Sequence, residues 1–170
     1  KIVESLLSGK FILNQQNAII NPSFKKYSQG KWHRDLPYQH FISSKPLAIS
    51  TIYCVDDFTY KNGGTYFLPY SHKNERFPSE NFIEKNAIQL ECKKGSYIIF
   101  DSMLYHCGGF NNSRKSRRAI NHIYNIPFLK QQINIPLNVN LSSLSSKEKE
   151  ILGLGFEEPQ SIEAFFDQRN

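Results

Sequence analysis

Cysteine is scarce in this chain. The three present, Cys54, Cys92 and Cys107, form no Cys-x-x-Cys pair. An odd, sparse set argues against a disulfide framework and points to a reducing, cytoplasmic compartment. Long apolar runs are missing too, so no segment suits a bilayer-spanning helix and no membrane partner is expected. No charged-then-apolar leader opens the sequence. There is no internal repeat, no low-complexity stretch and no nucleic-acid-binding motif. The basic residues are scattered apart from Arg114-Lys115-Ser116-Arg117-Arg118, so the formal net charge of +6 reads as a solvated basic surface and not as a nucleic-acid site. An anionic substrate is compatible with that balance but not required by it. Methionine is absent from the first position. The chain opens at Lys1 inside sequence that already reads as structured, as expected of a protein shortened at its N-terminus.

What is present is a chain of 170 residues with 39% hydrophobic and 14% aromatic side chains, enough for one domain with a real core. The first part reads as short strands separated by Gly, Asn and Pro. Strands are expected at Phe11–Ile20, Pro46–Val55, Thr65–Leu68, Ala87–Cys92, Ser96–Phe100 and Arg117–Ile126. Lys93-Lys94-Gly95 reads as a hairpin-like turn between two of them, and Ser71–Asn81 as a polar loop. Many short strands at near-regular spacing predict a mainly β sandwich or jelly roll over residues 1–130. The tail, 131–170, differs. Ser145-Ser146-Lys147-Glu148 matches a capping box with Gly153 as the stop, and a second short helix is expected over Ser161–Gln168, both packing on the core.

The most informative segment is Trp32-His33-Arg34-Asp35. On an extended backbone, alternate residues share a side, so His33 and Asp35 can reach one ion while Arg34 points away. Alone, that pair is a weak motif. A third donor, His106, follows the Ser96–Phe100 strand. Two imidazoles and one carboxylate on one face of an octahedron leave three positions open, the arrangement that suits O2 activation by non-haem Fe(II). Cys107 alternates away from His106 and reads as a small buried residue. Shortly afterwards, Arg117 offers a planar fork for a carboxylate. Arg117, Ala119 and Asn121 share one strand face, and Arg118, Ile120 and His122 the other. A one-residue change of register would put Arg118 inward instead.

These residues resemble the phytanoyl-CoA dioxygenase family of Fe(II)/2-oxoglutarate oxygenases. The resemblance rests on Trp32-His33-Arg34-Asp35, on Asn62-Gly63-Gly64-Thr65 running on to Leu68-Pro69-Tyr70-Ser71-His72-Lys73, on Tyr105-His106, and on Asn112-Ser113 followed by Arg117. It implies a double-stranded β-helix. It also implies that His33, Asp35 and His106 hold Fe(II), that Arg117 binds the far carboxylate of 2-oxoglutarate, and that O2 is the oxidant of a small-molecule substrate. Gln16 and Thr51 match polar positions around 2-oxoglutarate, and Gln39 falls where some relatives touch substrate. A carboxylate at Asp35 implies hydroxylation, since halogenases of similar fold carry a small residue there. Tyr70 departs from the pattern, standing where the family usually has Gly before Ser-His, and His72 is not a ligand in the family. The family's N-terminal helices and sheet strand have no counterpart in this sequence. The alternative from another class is a cupin-like module that binds a metal or ligand without redox turnover. Oligomeric state has no signature in the sequence.

Overall fold

Residues 1–167 are described in a computed structural model of the chain. Among them, seven strands form two antiparallel sheets. In the larger, β1 (Ile12–Asn21), β7 (Arg117–Asn125), β2 (Ala48–Cys54) and β5 (Tyr97–Asp101) lie side by side in that order. In the smaller, β3 (Thr65–Phe67) lies between β4 (Ile88–Gln89) and β6 (His106–Gly108). β5 and β7 bury alternate residues, whereas β2, which lies between them, is buried along almost its whole length. Ile52, Cys54, Ile98, Phe100 and Ala119 of the large sheet meet Phe67 of the small one, with Phe58 beneath them. Phe58 is 1% exposed, a burial that contributes about 2–3 kcal/mol. The architecture is the expected double-stranded β-helix with short C-terminal helices.

The outer face of the large sheet is covered separately. Ile49 packs there with Leu7 and Phe11, joined by Tyr124 of β7 and by Ile151 at the end of α3 (Ser146–Ile151). The segment α1 (Ile2–Leu6) precedes Leu7. The capping box of α3 forms as the sequence indicates, with Ser145 accepting from the Glu148 N–H and the Glu148 carboxylate accepting from the Ser145 N–H. The last helix, α4 (Ile162–Asp167), buries none of its residues, and the expected end at Gln168 lies outside the described residues. Among the described residues no helix is long and apolar enough to cross a membrane.

Three local expectations need correction. Lys93-Lys94-Gly95 does not close a hairpin: β4 pairs with β3 while β5 pairs with β2, so this turn carries the chain from one sheet to the other. Gly95 takes φ +86° to do so. Hairpins and sheet-to-sheet corners use the same turn residues, so local chemistry cannot separate them. The Ala87–Cys92 strand is only Ile88–Gln89, followed by a bridge between Cys92 and Phe58. The Ser71–Asn81 loop holds a 3-10 turn over Ser71–Lys73 and the start of α2 (Glu80–Asn86), capped by the Ser79 side chain. Before that 3-10 turn, Tyr70 takes φ +63°, the left-handed conformation for which glycine is suited.

Candidate metal centre

The segment around His33 lies against β6 as an extra edge. The N–H and C=O of His33 exchange hydrogen bonds with those of His106, each at 3.0 Å, and the Asp35 N–H donates to the Ser102 carbonyl at 2.9 Å. This pairing brings residues distant in sequence onto one side of the small sheet. One ligand atom from each of His33, Asp35 and His106 lies within 4.8 Å of the others. Nε2 of His33 is 3.7 Å and Nε2 of His106 3.6 Å from the same oxygen, Asp35 Oδ1.

Both imidazoles are oriented from behind. Nδ1 of His33 donates to the Lys31 carbonyl at 2.7 Å, and Nδ1 of His106 to the Leu104 carbonyl at 2.8 Å. A carbonyl can only accept, so the proton sits on Nδ1 and the lone pair of each Nε2 faces Asp35. His106 is further wedged between Phe67 and Phe100. Burial pushes its pKa down, which keeps the ring neutral and able to ligate. Burial acts on His33 in the same direction, but the Asp35 carboxylate beside it and the bond to the Lys31 carbonyl prevail and raise it. Burial would raise Asp35, yet the His33 and His106 imidazoles beside it and the hydrogen bond from Ser50 hold its carboxyl below the usual range. Ser50 Oγ donates to Asp35 Oδ2 at 2.5 Å and lies 2.8 Å from the Ser102 hydroxyl.

A narrow cavity runs from these three side chains to Arg117, between Ile52, Ala119 and Asn121. Arg117 faces inward and is 2% exposed, whereas Arg118 faces out and pairs with Asp56 at 2.8 Å. The register is therefore the one that aims Arg117 at the site. Its Nη2 donates to the Gly63 carbonyl at 3.0 Å and its Nε reaches the Asn62 carbonyl at 3.4 Å. Its guanidinium carbon lies 3.9 Å from the Phe58 ring centroid, and the Tyr27 hydroxyl is 3.5 Å from Nη2. Burial lowers the Arg117 pKa. Among the described residues no carboxylate pairs with Arg117, an unusual state for a buried cation.

Other expected residues lie elsewhere. Gln16 is exposed and sits opposite His122 on the outer face, because a bulge between Leu13 and Gln15 sets the register of β1. Gln15, Asn17 and Ile19 face inward in its place. Thr51 is buried but also pairs with His122, away from the cavity, while Ser50 and Ile52 point in. Gln39 is spent on Arg34: its Nε2 donates to the Arg34 carbonyl at 3.1 Å and its own carbonyl accepts from Arg34 Nη1. Arg34 does point away from the site, as expected. It is 1% exposed and donates to the carbonyls of Ser71, Asn74 and Glu75, tying the motif to the Tyr70 turn. His72 stands in that turn, outside the cluster.

Tyr27, Ser50 and Phe58 were not singled out from the sequence. The one available signal was Gly108, next to the His106 motif. A Cβ there would lie 1.7 Å from the Tyr27 hydroxyl oxygen, so the glycine makes room for that ring.

Comparison with known proteins gives concordant findings. The phytanoyl-CoA dioxygenase (PhyH) family model matches residues 3–119. An uncharacterized protein of Mycobacterium tuberculosis is 37% identical over 138 residues, 78% of this chain and 50% of that one. A dioxygenase of Penicillium canescens, olcK, is 28% identical over 152 residues, 82% of this chain and 48% of that one. The chain thus spans about half the length of the curated relatives it matches. Among solved structures, EctD from S. alaskensis with 2-oxoglutarate and 5-hydroxyectoine aligns with TM-score 0.64 at 22% identity, covering 77% of this chain and 50% of that one. The non-heme monooxygenase ThoJ aligns with TM-score 0.63 at 21% identity, covering 78% and 53%. At such identities the structural likeness speaks for the fold.

Proposed function

Because this chain belongs to the phytanoyl-CoA dioxygenase family, we propose that it is the core of an Fe(II)- and 2-oxoglutarate-dependent dioxygenase that hydroxylates a small molecule. His33, Asp35 and His106 would hold the iron, and Arg117 the far carboxylate of 2-oxoglutarate. The observation that carries the reading is one cavity shared by an open-faced His, Asp, His cluster and a buried arginine that lacks an anion. The donor set fits: two imidazoles held through Nδ1 with Nε2 turned to the cluster, and one ionised carboxylate, form a facial site for a borderline divalent ion. A structural zinc site would close with a fourth ligand.

When bound, ferrous iron with 2-oxoglutarate and O2 supplies the oxidation of a substrate C–H to C–OH, with succinate and CO2 as co-products. The chain's own residues position and exclude. Lys31 and Leu104 carbonyls fix the two imidazoles, and Ser50 fixes the carboxylate. The Asn62 and Gly63 carbonyls and the Phe58 ring hold the Arg117 fork in one orientation, so its remaining donor capacity meets a carboxylate without reorganisation. Ile52, Ala119 and Ile19 line the cavity between the two ends and keep water scarce.

Anaerobic titration tests this reading. Adding 2-oxoglutarate to the Fe(II)-loaded chain is expected to produce a weak visible charge-transfer band. Arg117→Ala should raise the 2-oxoglutarate Kd by about 10- to 100-fold, the worth of a charge-assisted hydrogen bond. Arg118→Ala should leave it unchanged. No band, with metal still bound at the three ligands, would favour a cupin-like module that binds without turnover.

A further inference from the structure

Outside the metal cluster, a cleft of about 550 Å³ opens between β1 and the 27–29 turn, with His33 and Asp35 at its floor. Its polar lining is almost wholly uncharged: Gln15, Asn17, Gln29 and Asn121 contribute amides, and Tyr27 and Ser28 hydroxyls. Arg34 also borders it, but that guanidinium is turned away and bonded to carbonyls. No lysine contributes to the lining, although the chain carries a net charge of +6.

These amides are uncommitted. The buried asparagines Asn14, Asn21, Asn111 and Asn125 each donate to backbone carbonyls. Asn121 is 9% exposed, borders both the cleft and the inner cavity, and has a buried Oδ1 with no partner. Gln15, Asn17 and Gln29 likewise make no side-chain hydrogen bond among the described residues. Asn17 and Asn121 stand directly opposite in the β1–β7 pairing, which sets their Cβ atoms about 5 Å apart.

We propose that this cleft takes a neutral, polyhydroxylated molecule, a glycoside or polyol, and not an acyl-CoA, a phosphate ester or another anion. A primary amide donates and accepts at once, as does a hydroxyl, so a row of free amides matches neighbouring hydroxyl groups. An anion of that size is best held by a cation, and apart from the committed Arg34 the lining provides none. A peptide would want apolar recesses for its side chains; Ala18, Ile19 and Ile20 are strung along one strand and form none. The inference rests on the oxygenase reading for what is done to the ligand, and on the cleft alone for what the ligand is.

The test is saturation-transfer NMR on the chain, which needs no turnover. The probes are neutral methyl mono- and disaccharides, glucose 6-phosphate, coenzyme A and trialanine. Transfer is expected to the ring protons of at least one neutral saccharide, falling fivefold or more in Asn17→Leu and in Gln29→Leu. Both positions are exposed, so the fold tolerates them. Asn121→Leu should act in the same direction, and circular dichroism checks its fold. Preference for coenzyme A, the phosphate ester or trialanine overturns the proposal. So does binding of no saccharide, or transfer that survives both exposed substitutions. Succinate formation reports separately: saccharide binding without succinate sinks the oxygenase reading alone, whereas succinate formation with anion preference sinks the substrate class alone.

Discussion

Ser50 is a single hydroxyl placed under Asp35, and its role is orientation. It is fully buried and donates to Oδ2, leaving Oδ1 as the oxygen both imidazoles approach. Outer partners of this kind are typically worth about 10- to 100-fold in metal affinity. Ser50→Ala should therefore weaken Co(II) binding about tenfold in a chelator competition, while Thr51→Ala, one residue along and facing away, should not. The two adjacent arginines divide the same way. Arg118 binds both oxygens of Asp56 on the surface and holds that carboxyl at about 2. The folded value lies below the unfolded 3.8, so the contribution is complete above about pH 4 and is lost as the pH falls toward 2. Urea midpoints of the protein and of Asp56→Asn should differ by a constant amount above pH 4 and converge near pH 2.

Among the elements, two turns hold the site together. The Asn62-Gly63-Gly64 turn was legible as a turn, but its purpose was not. Its carbonyls hold the Arg117 guanidinium, and a Cβ on Gly63 would lie 2.2 Å from the Gly109 carbonyl oxygen. The second turn departs from the family pattern at Tyr70, and the departure has a physical cost. Tyr70 is 81% exposed, so its ring gains little from packing, while its left-handed backbone is disfavoured by about 1 kcal/mol or more. Tyr70→Gly should be neutral to stabilising, by up to about 1 kcal/mol at the urea midpoint, and should leave metal affinity unchanged. A clear loss of stability would mean that the tyrosine ring has a partner that its exposure conceals.

At the scale of the whole molecule, the metal cluster draws on separate parts of the chain. His33 and Asp35 come from an edge segment and His106 from the small sheet, while Ser50 behind Asp35 belongs to the large sheet. A ligand that binds only this folded arrangement stabilises it by mass action, about 2.7 kcal/mol at one hundred times Kd. Saturating Co(II) with 2-oxoglutarate should raise Tm by several degrees. The rise should vanish in Asp35→Ala and keep only its metal part in Arg117→Ala. Equal rises in all three would show that the ions bind elsewhere.

The chain of residues determined a good deal by itself. The apolar, β-branched run of β2 and the alternation along β5 and β7 announced a sandwich. Period-2 geometry paired His33 with Asp35, while His106 and Arg117 joined them through the jelly-roll reading and the resemblance to the family. Alternation also offered two faces for the Arg117-Arg118 pair, and only pairing with β1 and β2 decided which turned inward. The same pairing displaced Gln16 in favour of Gln15 and Asn17, because one bulged residue moves every later side chain to the other face. Gln39 became a clamp on Arg34, and Lys93-Lys94-Gly95 became a corner between sheets. Such choices depend on partners far away in sequence. A strand's pattern states that it has an inside and an outside, and the neighbouring strands settle which is which.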